Sequence, residues 1–327
     1  MATTKTKKYK VGIIGGAGYT AGELIRILIN HPGVEIGFVH SSSNAGNYLY
    51  DVHEGLFGDT ELKFCDKFDL NSVNVLFLCS AHGRSKEFWQ QNERPKRLKI
   101  IDLAQDFRDE AEGYVYGLPE MQKERIAKAG KIANPGCFAT AIQLALLPLA
   151  EAGLLESEIN ITAITGSTGA GVKPGATTHF SWRNNNLSTY KVFEHQHLKE
   201  ICRNLGIVQK GFDQAVNFVP MRGDFARGIF VSAHVDCSLS LEEATSIYKA
   251  YYDDAAFTFV SDKPVDLKQV VNTNKCIIAL EKHGEKLVIS SVIDNLLKGA
   301  SGQAVQNMNI VFGMEETAGL KLKASAF

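Results

Sequence analysis

The amino-acid sequence predicts an α/β protein with two domains, one built on a parallel sheet and the other on a mostly antiparallel sheet. Three observations lead to this prediction. The chain has 327 residues, 45% hydrophobic and 22% charged, which is enough for two cores of ordinary globular composition. Short apolar runs alternate with helical patterns over its first part. This alternation ends at Pro135-Gly136, after which strand patterns dominate.

The first part shows strands and helices in regular alternation. Helical spacing of apolar residues predicts helices at Ala21–Ile29 and Ser85–Asn92. Four short runs are apolar enough to be strands covered on both faces: Val11–Ile14, Val34–His40, Val75–Cys79 and Lys99–Leu103. This strand–helix–strand order is typical of βαβ units and therefore of a parallel sheet.

The second part begins with a long helical pattern, Cys137–Leu149, and a polar, glycine-rich stretch lies at Gly166–Gly175. One more helical pattern, Leu241–Tyr252, lies among the strand candidates, and Ser301–Phe312 is a final helical pattern. The strand candidates are Ile159–Thr165, Ala215–Val219, Ile229–Val235, Cys276–Glu281 and Lys286–Ile293. Because few helical crossovers separate them, we expect an α+β domain with a mostly antiparallel sheet.

The charge balance and the lengths of the apolar runs exclude several classes of function. With 35 Lys and Arg against 36 Asp and Glu, the formal net charge is −1, unlike the basic surface of a dedicated nucleic-acid binder. No run approaches the roughly 18 consecutive apolar residues of a membrane span. The N-terminus lacks the apolar core of a secretory signal. We therefore expect a cytoplasmic protein with no membrane or nucleic-acid partner.

The six cysteines are expected to be reduced, because cytosolic thiols rarely form disulfides. None belongs to a CxxC pair, so we expect no zinc site built on cysteines. Five of the six lie in ordinary strand or helix patterns typical of packing residues. Cys137 is the exception, because it directly follows a Pro-Gly turn.

A glycine-rich turn joins the first strand to the first helix. Small residues at Gly15, Gly16 and Gly18 allow backbone N–H groups to approach a pyrophosphate closely. Tyr19 and Thr20 follow at the start of the helix, whose N-terminus adds partial positive charge. This context predicts a Rossmann-type dinucleotide site. The alternative is a glycine-rich turn with no ligand.

The end of the second strand indicates which dinucleotide binds. NAD sites usually place an Asp or Glu there to bind the ribose 2′-hydroxyl, but here the strand is followed by Ser41, Ser42 and Ser43. Hydroxyls and backbone amides accept a 2′-phosphate, whereas a carboxylate would repel it. The sequence therefore favours NADP over NAD. The alternative is a serine-rich loop that binds nothing.

Cys137 follows a Pro-Gly turn and opens a predicted helix. A thiol at this position lies near unpaired backbone N–H groups and the positive end of the helix dipole, which favour the thiolate. Its local sequence therefore suits a nucleophile. The alternative is a buried cysteine that only caps the helix.

A nucleophilic thiol needs a proton acceptor nearby, and the densest group of ionisable residues includes His195, His197 and Glu200. These residue types also suit zinc, although no third ligand is evident, so no metal is expected. Two solvated histidines at a helix start are the other alternative. Arg108 follows the fourth strand, where parallel sheets bind ligands, and its fork suits a phosphate; a structural ion pair is the alternative.

These segments together resemble the N-acetyl-γ-glutamyl-phosphate reductase family, which shares its fold and chemistry with aspartate-semialdehyde dehydrogenase. The resemblance covers the chain from residue 11 to 312. Its motifs are Gly18-Tyr-Thr-Ala-Gly-Glu-Leu24, Asp106-Phe-Arg108, Tyr116-Gly-Leu-Pro-Glu120, Asn134-Pro-Gly-Cys-Phe-Ala-Thr140, Gly166-Ser-Thr-Gly-Ala-Gly171, His195-Gln-His197, Asp294-Asn-Leu-Leu-Lys-Gly299 and Gly302-Gln-Ala-Val-Gln-Asn307.

The resemblance implies NADPH-dependent reduction of an acyl phosphate through a thioester on Cys137, with phosphate released. It implies that His195 is the acid/base and His197 a substrate ligand, or the reverse, with Glu200 supporting both. Substrate contacts fall on Arg108, Asn134 and one of Arg222 and Arg227. The residues implied to line the cofactor, besides the glycine turn and the serines, are Ser80, Ser167, Gly169, Gly171, Asn295, Lys298, Gly299 and Gln303.

The motif order also implies a discontinuous first domain, because the last helix returns to it. We expect residues 1–136 and 300–327 to bind NADP, and the inserted residues 137–299 to form a catalytic and dimerisation domain of a homodimer or homotetramer. The acyl group is acetyl in the family; succinyl is an alternative. Aspartate-semialdehyde dehydrogenase is the nearest rival, but its usual Asn-Pro-Asn-Cys is Asn-Pro-Gly-Cys here. A non-catalytic NADP-binding sensor would not depend on Cys137.

Overall fold

The computed structural model describes residues 8–81 and 83–326, which form two compact units. The first contains the described residues of Met1–Pro135 together with Ala300–Lys321. The second contains Gly136–Gly299 and the segment that begins at Leu322. The residues at both ends of the predicted domain ranges, 1–7 and 327, lie outside the described residues.

The C-terminal segment corrects one predicted boundary. The sequence assigned residues 322–327 to the first domain, but the described part of this segment packs with the second unit. The Ser325 N–H donates to the Val271 carbonyl (3.0 Å), and Asn272 Nδ2 donates to the Lys323 carbonyl (3.1 Å). These two hydrogen bonds hold the chain end to the loop that precedes β13.

The first unit is built on a seven-stranded parallel sheet in the order β3-β2-β1-β4-β5-β7-β6. Its strands are β1 (Tyr9–Ile14), β2 (Val34–His40), β3 (Phe64–Cys65), β4 (Val75–Leu78), β5 (Lys99–Asp102), β6 (Val115–Tyr116) and β7 (Lys131–Ala133). Its first three helices are α1 (Tyr19–Leu28), α2 (Arg84–Gln91) and α3 (Pro119–Lys128). All four residues of the central strand β4 are buried, as expected for a parallel strand covered on both faces.

The second unit is built on a seven-stranded mixed sheet in the order β12-β13-β14-β11-β8-β10-β9. Its strands are β8 (Ile159–Thr165), β9 (Ser188–Thr189), β10 (Val216–Arg222), β11 (Ile229–Asp236), β12 (Thr258–Ser261), β13 (Cys276–His283) and β14 (Lys286–Ile293). Its helices are α4 (Cys137–Glu151), α5 (Phe180–Arg183), α6 (His197–Val208) and α7 (Leu241–Tyr251). Four of the six pairings between neighbouring described strands are antiparallel, and the predicted α/β fold class is confirmed.

Helix α6 corrects the predicted connection between β8 and β10. The sequence analysis placed no helix between these strands, but α6 lies there and the two strands run parallel. A parallel pair requires a crossover connection, which α6 supplies. This crossover is important for the site because the two predicted active-site histidines lie at the start of α6.

The last helix, α8 (Gly302–Val311), belongs to the first unit. Ser301 Oγ donates to the Thr20 carbonyl (2.6 Å), and Gln303 Nε2 donates to the Gly117 carbonyl (3.1 Å). Asn307 Nδ2 donates to the same Gly117 carbonyl (2.9 Å). The helix is therefore held to α1 and to the loop after β6 by polar side chains that are buried.

Helix α4 contains a proline, Pro148, near its C-terminal end. Because proline has no backbone N–H, the Leu144 carbonyl one turn earlier lacks its helical donor. The Tyr252 hydroxyl, which follows α7, donates to that carbonyl. The neighbouring Tyr248 hydroxyl donates to the Ala145 carbonyl (2.6 Å). Tyr252 therefore replaces the donor that α4 lacks, and Tyr248 of α7 adds a second hydrogen bond to the same helix.

Replacing Tyr252 with Phe should destabilise the protein by about 1–2 kcal/mol, because the Leu144 carbonyl would be buried without a donor. Pro148→Ala restores a backbone N–H at the position that can bond this carbonyl. We therefore expect Tyr252→Phe to cost less in a Pro148→Ala background. Urea unfolding of the four proteins measures this coupling, and equal costs in both backgrounds would show that the hydroxyl does not replace the missing N–H.

Candidate active site

Cys137 occupies the first position of α4, and Gly136 caps that helix. The Gly136 N–H donates to Glu200 Oε2 (3.1 Å), and the Gly136 carbonyl accepts from the N–H and the hydroxyl of Thr140 (2.8 and 3.1 Å). The residue before the thiol is therefore fixed from both sides. The thiol itself is half-buried at the positive end of a 15-residue helix.

His195 and His197 form one buried cluster with aromatic side chains. Their rings lie 4.6 Å apart, and the Phe138 ring, next to the thiol in sequence, lies 5.5 Å from His195 and 6.3 Å from His197. Phe218 of β10 lies 5.5 Å from His195. Both histidines are less than a tenth exposed, so the alternative of two solvated histidines is wrong.

The hydrogen bonds and surroundings of His195 determine its protonation. The His197 backbone N–H donates to His195 Nδ1 (3.2 Å), so the neutral ring carries its proton on Nε2. Burial, aided by the positive charges of Lys191 and Arg222, lowers the pKa of His195 to about 4. His195 is therefore neutral at physiological pH and presents an N–H donor at Nε2.

Glu200 connects the histidines to the helix that carries the thiol. It lies one turn into α6 and is 6% exposed. One carboxylate oxygen accepts from the Gly136 N–H, while the other lies 3.9 Å from His197 Nε2. A buried carboxylate requires such partners. This geometry is consistent with the prediction that Glu200 supports the histidines.

Tyr190 is a neighbour of the cluster that the sequence analysis did not select. Its ring lies 5.7 Å from His195. Burial is the main cause that raises the pKa of Tyr190 to about 12; the neighbouring Cys137 acts in the same direction, and Arg222 acts against it. Tyr190 opens the same dense run of ionisable residues that contains the histidines, so its position was the available signal.

Of the two arginines left as alternatives, Arg222 lies with the histidine cluster. Its guanidinium carbon is 4.6 Å from the centre of the Tyr190 ring, and its Nε is buried without a hydrogen-bond partner among the described residues. Arg227 instead forks onto Asp294, with Nε to Oδ2 at 3.1 Å and Nη2 to Oδ1 at 3.2 Å. The structure thus gives the two arginines different surroundings.

The predicted cofactor-lining residues of the second unit lie in two loops that are hydrogen-bonded together. Ser167 and Gly169 belong to a short 3-10 turn after β8, and Gly171 follows with a positive φ of 82°. Asn295 Nδ2 donates to Thr168 Oγ1 of that turn (3.0 Å). Asn295 Oδ1 accepts from the Gly228 N–H (2.7 Å). Both ends of the Asn295 amide therefore bond within the protein.

Lys298 and Gly299 lie in a short π-helical segment, Leu297–Ser301. Lys298 is fully buried. A Cβ atom on Gly299 would lie only 2.8 Å from Cys137 Cβ, so no other residue fits there without a shift. This glycine is therefore packed directly against the predicted nucleophile.

Arg108 and Asn134 meet in the first unit. Arg108 Nε donates to the Asn134 carbonyl (2.9 Å), and Nη2 donates to the Leu103 carbonyl (3.1 Å). Asn134 Nδ2 donates to the Ala300 carbonyl (3.0 Å), and Asn134 Oδ1 accepts from Asn307 (3.1 Å). The guanidinium therefore lies beside the carboxyl ends of β5 and β7, where parallel sheets bind ligands.

The glycine turn after β1 has the shape of a dinucleotide cradle. Gly15 has a φ of +78°, and a Cβ atom on it would lie 3.0 Å from the backbone of Cys79 and Ser80. A Cβ atom on Gly16 would lie 2.3 Å from Val39. Gly18 caps α1 with open space around it, and Tyr19 and Thr20 follow. These residues fit a bound pyrophosphate.

The loop after β2 carries hydroxyl and amide groups and no carboxylate. Asn44 Nδ2 donates to the hydroxyls of both Ser41 and Ser43 (3.0 Å each). Ser41 is buried, whereas Ser42 and Ser43 are exposed. Gln303, on α8, is fully buried and donates to Gly117 within its own unit.

Among residues 8–81 and 83–326, no three His, Cys, Asp or Glu side chains are grouped so as to hold a metal ion. No helix in the same described ranges is long and apolar enough to span a membrane.

Comparisons with known proteins define the class of this chain. Residues 10–129 match a family model described as semialdehyde dehydrogenase, NAD binding domain, and residues 137–295 match one described as semialdehyde dehydrogenase, dimerisation domain. The chain is thus an oxidoreductase of the semialdehyde dehydrogenase class, with a nicotinamide-cofactor domain and an oligomerisation domain.

Sequence relatives give the particular family. The chain is 63% identical to N-acetyl-gamma-glutamyl-phosphate reductase of Azobacteroides pseudotrichonymphae and 59% identical to that of Parabacteroides distasonis, covering 97% of this chain and 99% of each relative. It belongs to the N-acetyl-gamma-glutamyl-phosphate reductase family, which confirms the resemblance seen in the motifs.

Solved structures share the fold at low identity. A probable aspartate-semialdehyde dehydrogenase from Pseudomonas aeruginosa matches with a TM-score of 0.74 at 17% identity, covering 94% of this chain and 99% of the other. Aspartate semialdehyde dehydrogenase II from Vibrio cholerae matches with a TM-score of 0.72 at 18% identity and the same coverage.

The low pKa of His195 predicts a specific loss of stability in acid. An ordinary histidine, with a pKa of 6.5, takes up a proton in the unfolded chain below about pH 6.5, whereas folded His195 resists protonation down to about pH 4. This group therefore stabilises the fold above pH 6.5 and loses that contribution as the pH falls. The loss between pH 7.5 and pH 5 should be about 2 kcal/mol.

The comparison of wild type with His195→Asn isolates this effect, because Asp102, whose pKa burial raises to about 6, contributes with the opposite sign in both proteins. His283→Asn, at an exposed histidine, is the control. Urea unfolding at both pH values should show a smaller pH dependence in His195→Asn only. The same slope in all three proteins would contradict the assignment.

Proposed function

We propose that this chain catalyses the NADPH-dependent reductive dephosphorylation of an N-acyl-γ-glutamyl phosphate to the N-acyl-glutamate 5-semialdehyde, a step of arginine biosynthesis. N-acetyl is the acyl group we propose, as in the names of the relatives. The observation that supports it most is the arrangement around Cys137, at the start of α4, with Gly136 bonded to Glu200 and the two histidines beside Phe138.

The proposed reaction proceeds through a thioester on Cys137. The thiolate sulfur attacks the acyl carbon, the bond from that carbon to the phosphate oxygen breaks, and phosphate leaves with the electron pair. The nicotinamide cofactor supplies a hydride when it is bound. The carbon–sulfur bond then breaks, the sulfur keeps its electron pair, and the semialdehyde is released. Two easier steps thus replace one difficult reduction.

In this reaction His195 donates a hydrogen bond from Nε2 to the oxygen of the reacting carbonyl. Its Nδ1 is occupied by the His197 N–H, and the neutral ring keeps the proton on Nε2. A preorganised donor of this kind stabilises negative charge that develops on oxygen. We propose His195 as the acid/base residue, with His197 as a substrate ligand that Glu200 orients.

We propose that arginines bind the two anionic ends of the substrate. Arg108, held by the Asn134 and Leu103 carbonyls, would bind the departing phosphate. Arg222, which lies over Tyr190 near His195, would bind the carboxylate of the glutamyl group. Its buried Nε supports a role in binding an anion.

We propose NADP as the cofactor, held by Gly15, Gly16 and Gly18 at its pyrophosphate. Ser41, Ser42 and Ser43 would receive the 2′-phosphate, because this loop offers hydroxyls and amide groups and no carboxylate. Residues 1–135 and 300–321 would form the NADP-binding domain. The remaining predicted lining residues are Tyr19, Thr20, Ser80, Ser167, Gly169, Gly171, Asn295, Lys298, Gly299 and Gln303.

The enzyme is proposed to be a cytoplasmic homodimer or homotetramer. Within the part of the chain that matches the dimerisation domain, Phe180 is 77% exposed, Phe193 57% and Leu187 53%. We propose that these side chains lie in the surface that a second copy of the chain covers.

Replacing Cys137 with Ser should reduce the proposed activity by about 10³-fold or more, because the nucleophile is lost. The reverse reaction is convenient: N-acetylglutamate semialdehyde, phosphate and NADP are mixed, and NADPH absorbance is followed. Cys202→Ser, at an exposed cysteine, is the matched control and should retain activity. Full activity of Cys137→Ser would show that Cys137 is not the nucleophile. Succinyl and aspartyl semialdehydes in parallel assays identify the substrate.

Replacing Ser43 with Asp should lower the preference for NADP over NAD by about 10–100-fold, because a carboxylate repels the 2′-phosphate. The ratio of kcat/KM values for the two cofactors measures this preference. Ser72→Asp, at an exposed serine before β4, should leave the ratio unchanged. An unchanged ratio in Ser43→Asp would place the 2′-phosphate elsewhere.

A further inference from the structure

The ion pair between Arg227 and Asp294 lies at the end of the central strands of the second sheet, where three loops are adjacent. Strands β14, β11 and β8 are neighbours, and Ile229 at the start of β11 pairs with both Thr165 and Ile293. The loops that follow Thr165 and Ile293 and the loop that precedes Ile229 are therefore adjacent. Asp294 is the first residue beyond β14 and is fully buried.

Every oxygen of the Asp294 carboxylate accepts hydrogen bonds. Oδ1 accepts from the N–H groups of Leu296 (2.8 Å) and Leu297 (3.0 Å), and Oδ2 accepts from the Asn272 N–H (2.7 Å). Arg227 binds both oxygens with its fork. A buried carboxylate with one cation and three backbone donors is strongly fixed in place.

The same aspartate shapes the turn that ends beside the thiol. Its carbonyl accepts from the Gly299 N–H (2.9 Å), so the carboxylate holds the beginning of the 294–299 turn and the carbonyl holds its end. Gly299 then packs against Cys137, where an added Cβ would lie 2.8 Å from Cys137 Cβ. The position of the turn thus determines the space around the thiol.

The other two loops are hydrogen-bonded to this turn. The Gly166 N–H donates to the Gly228 carbonyl (2.9 Å), and Thr168 Oγ1 donates to the Ala226 carbonyl (2.6 Å). Asn295 bonds both loops through Gly228 and Thr168. Arg227 therefore lies in a loop that cannot shift without moving the turn.

We propose that Arg227 and Asp294 are positioning residues: their buried ion pair holds the 294–299 turn, with Gly299, against Cys137 and so sets the reactivity of the thiol. Arg227 acts through Asp294 and does not bind substrate. The consequence for catalysis rests on the proposed function, whereas the consequence for the thiol can be measured without substrate or cofactor.

Two variants test the two ends of this connection. Arg227→Lys keeps the charge but loses the fork, and Gly299→Ala introduces the Cβ beside Cys137 without altering the ion pair. Matched controls are Arg84→Lys, at an exposed arginine paired with Glu87, and Gly206→Ala, where an added Cβ meets nothing within 4 Å. Thermal unfolding of the full-length chain shows which proteins are folded.

The readout is the rate of alkylation of Cys137 by iodoacetamide between about pH 6 and pH 9, with the modified peptide identified by mass spectrometry. We expect both test variants to differ from wild type by about tenfold or more in this rate, and both controls to stay within about twofold. Wild-type rates in folded Gly299→Ala would overturn the proposal, as would wild-type rates in folded Arg227→Lys.

Kinetics distinguish positioning from substrate binding. A positioning role predicts that Arg227→Lys lowers kcat by about 10–100-fold with little change in KM. A raised KM with retained kcat would mean that Arg227 contacts the substrate, which overturns the proposal. Absence of acyl-phosphate reductase activity in the wild type would overturn the proposed function alone, because the alkylation rates decide the positioning role independently.

Discussion

The hydrogen bond from the Gly136 N–H to the Glu200 carboxylate joins the two elements on which the site depends. Gly136 immediately precedes Cys137, the proposed nucleophile, at the start of α4, and Glu200 lies one turn into α6, whose first residue is His197. The carboxylate is buried, so it must keep its donors, and the N–H is one of the groups that a helix start leaves without an internal partner. The carboxylate therefore gains a hydrogen-bond donor, and the N–H gains an acceptor. This hydrogen bond therefore fixes the start of α4, with the thiol, relative to the start of α6, with the imidazoles.

Burial gives the ionisable groups of the site different chemical characters. His195 is kept neutral because it lies among aromatic rings and near two positive charges, and the backbone of His197 selects its tautomer. The Arg222 guanidinium lies over the ring of Tyr190, which is itself a neighbour of His195. A neutral donor and a guanidinium thus both pack against Tyr190, which suits a reaction whose substrate is anionic and whose developing charge is on oxygen.

The fold class and most long elements could be predicted from sequence because their signals are local. The strands Val34–His40, Ile159–Thr165 and Lys286–Ile293 have the same bounds in the prediction and in the structure. The strands β3, β6 and β9 have two residues each and show no periodicity to detect. Helix α6 was missed because its first turn contains the polar residues His197, Lys199 and Glu200, which obscure the apolar spacing of the remainder.

The candidate site was predictable to the extent that its chemistry lies in contiguous motifs. Cys137 and the His-x-His segment could be identified in this way. The pairing of Arg227 with Asp294 could not, because 67 residues separate the partners and only the adjacency of β11 and β14 brings them together. Tyr190 was visible in the sequence, but nothing local distinguishes a ring that packs against the site from one that faces solvent.

The proline in α4 has a consequence for the order in which the protein is made. Helix α4, which begins at Cys137, cannot complete its own hydrogen-bond ladder, and the missing donor comes from a tyrosine 108 residues further along the chain. Until residue 252 has been synthesised, the Leu144 carbonyl can accept only from water. Helix α4 therefore reaches its final stability only after most of the second unit has emerged.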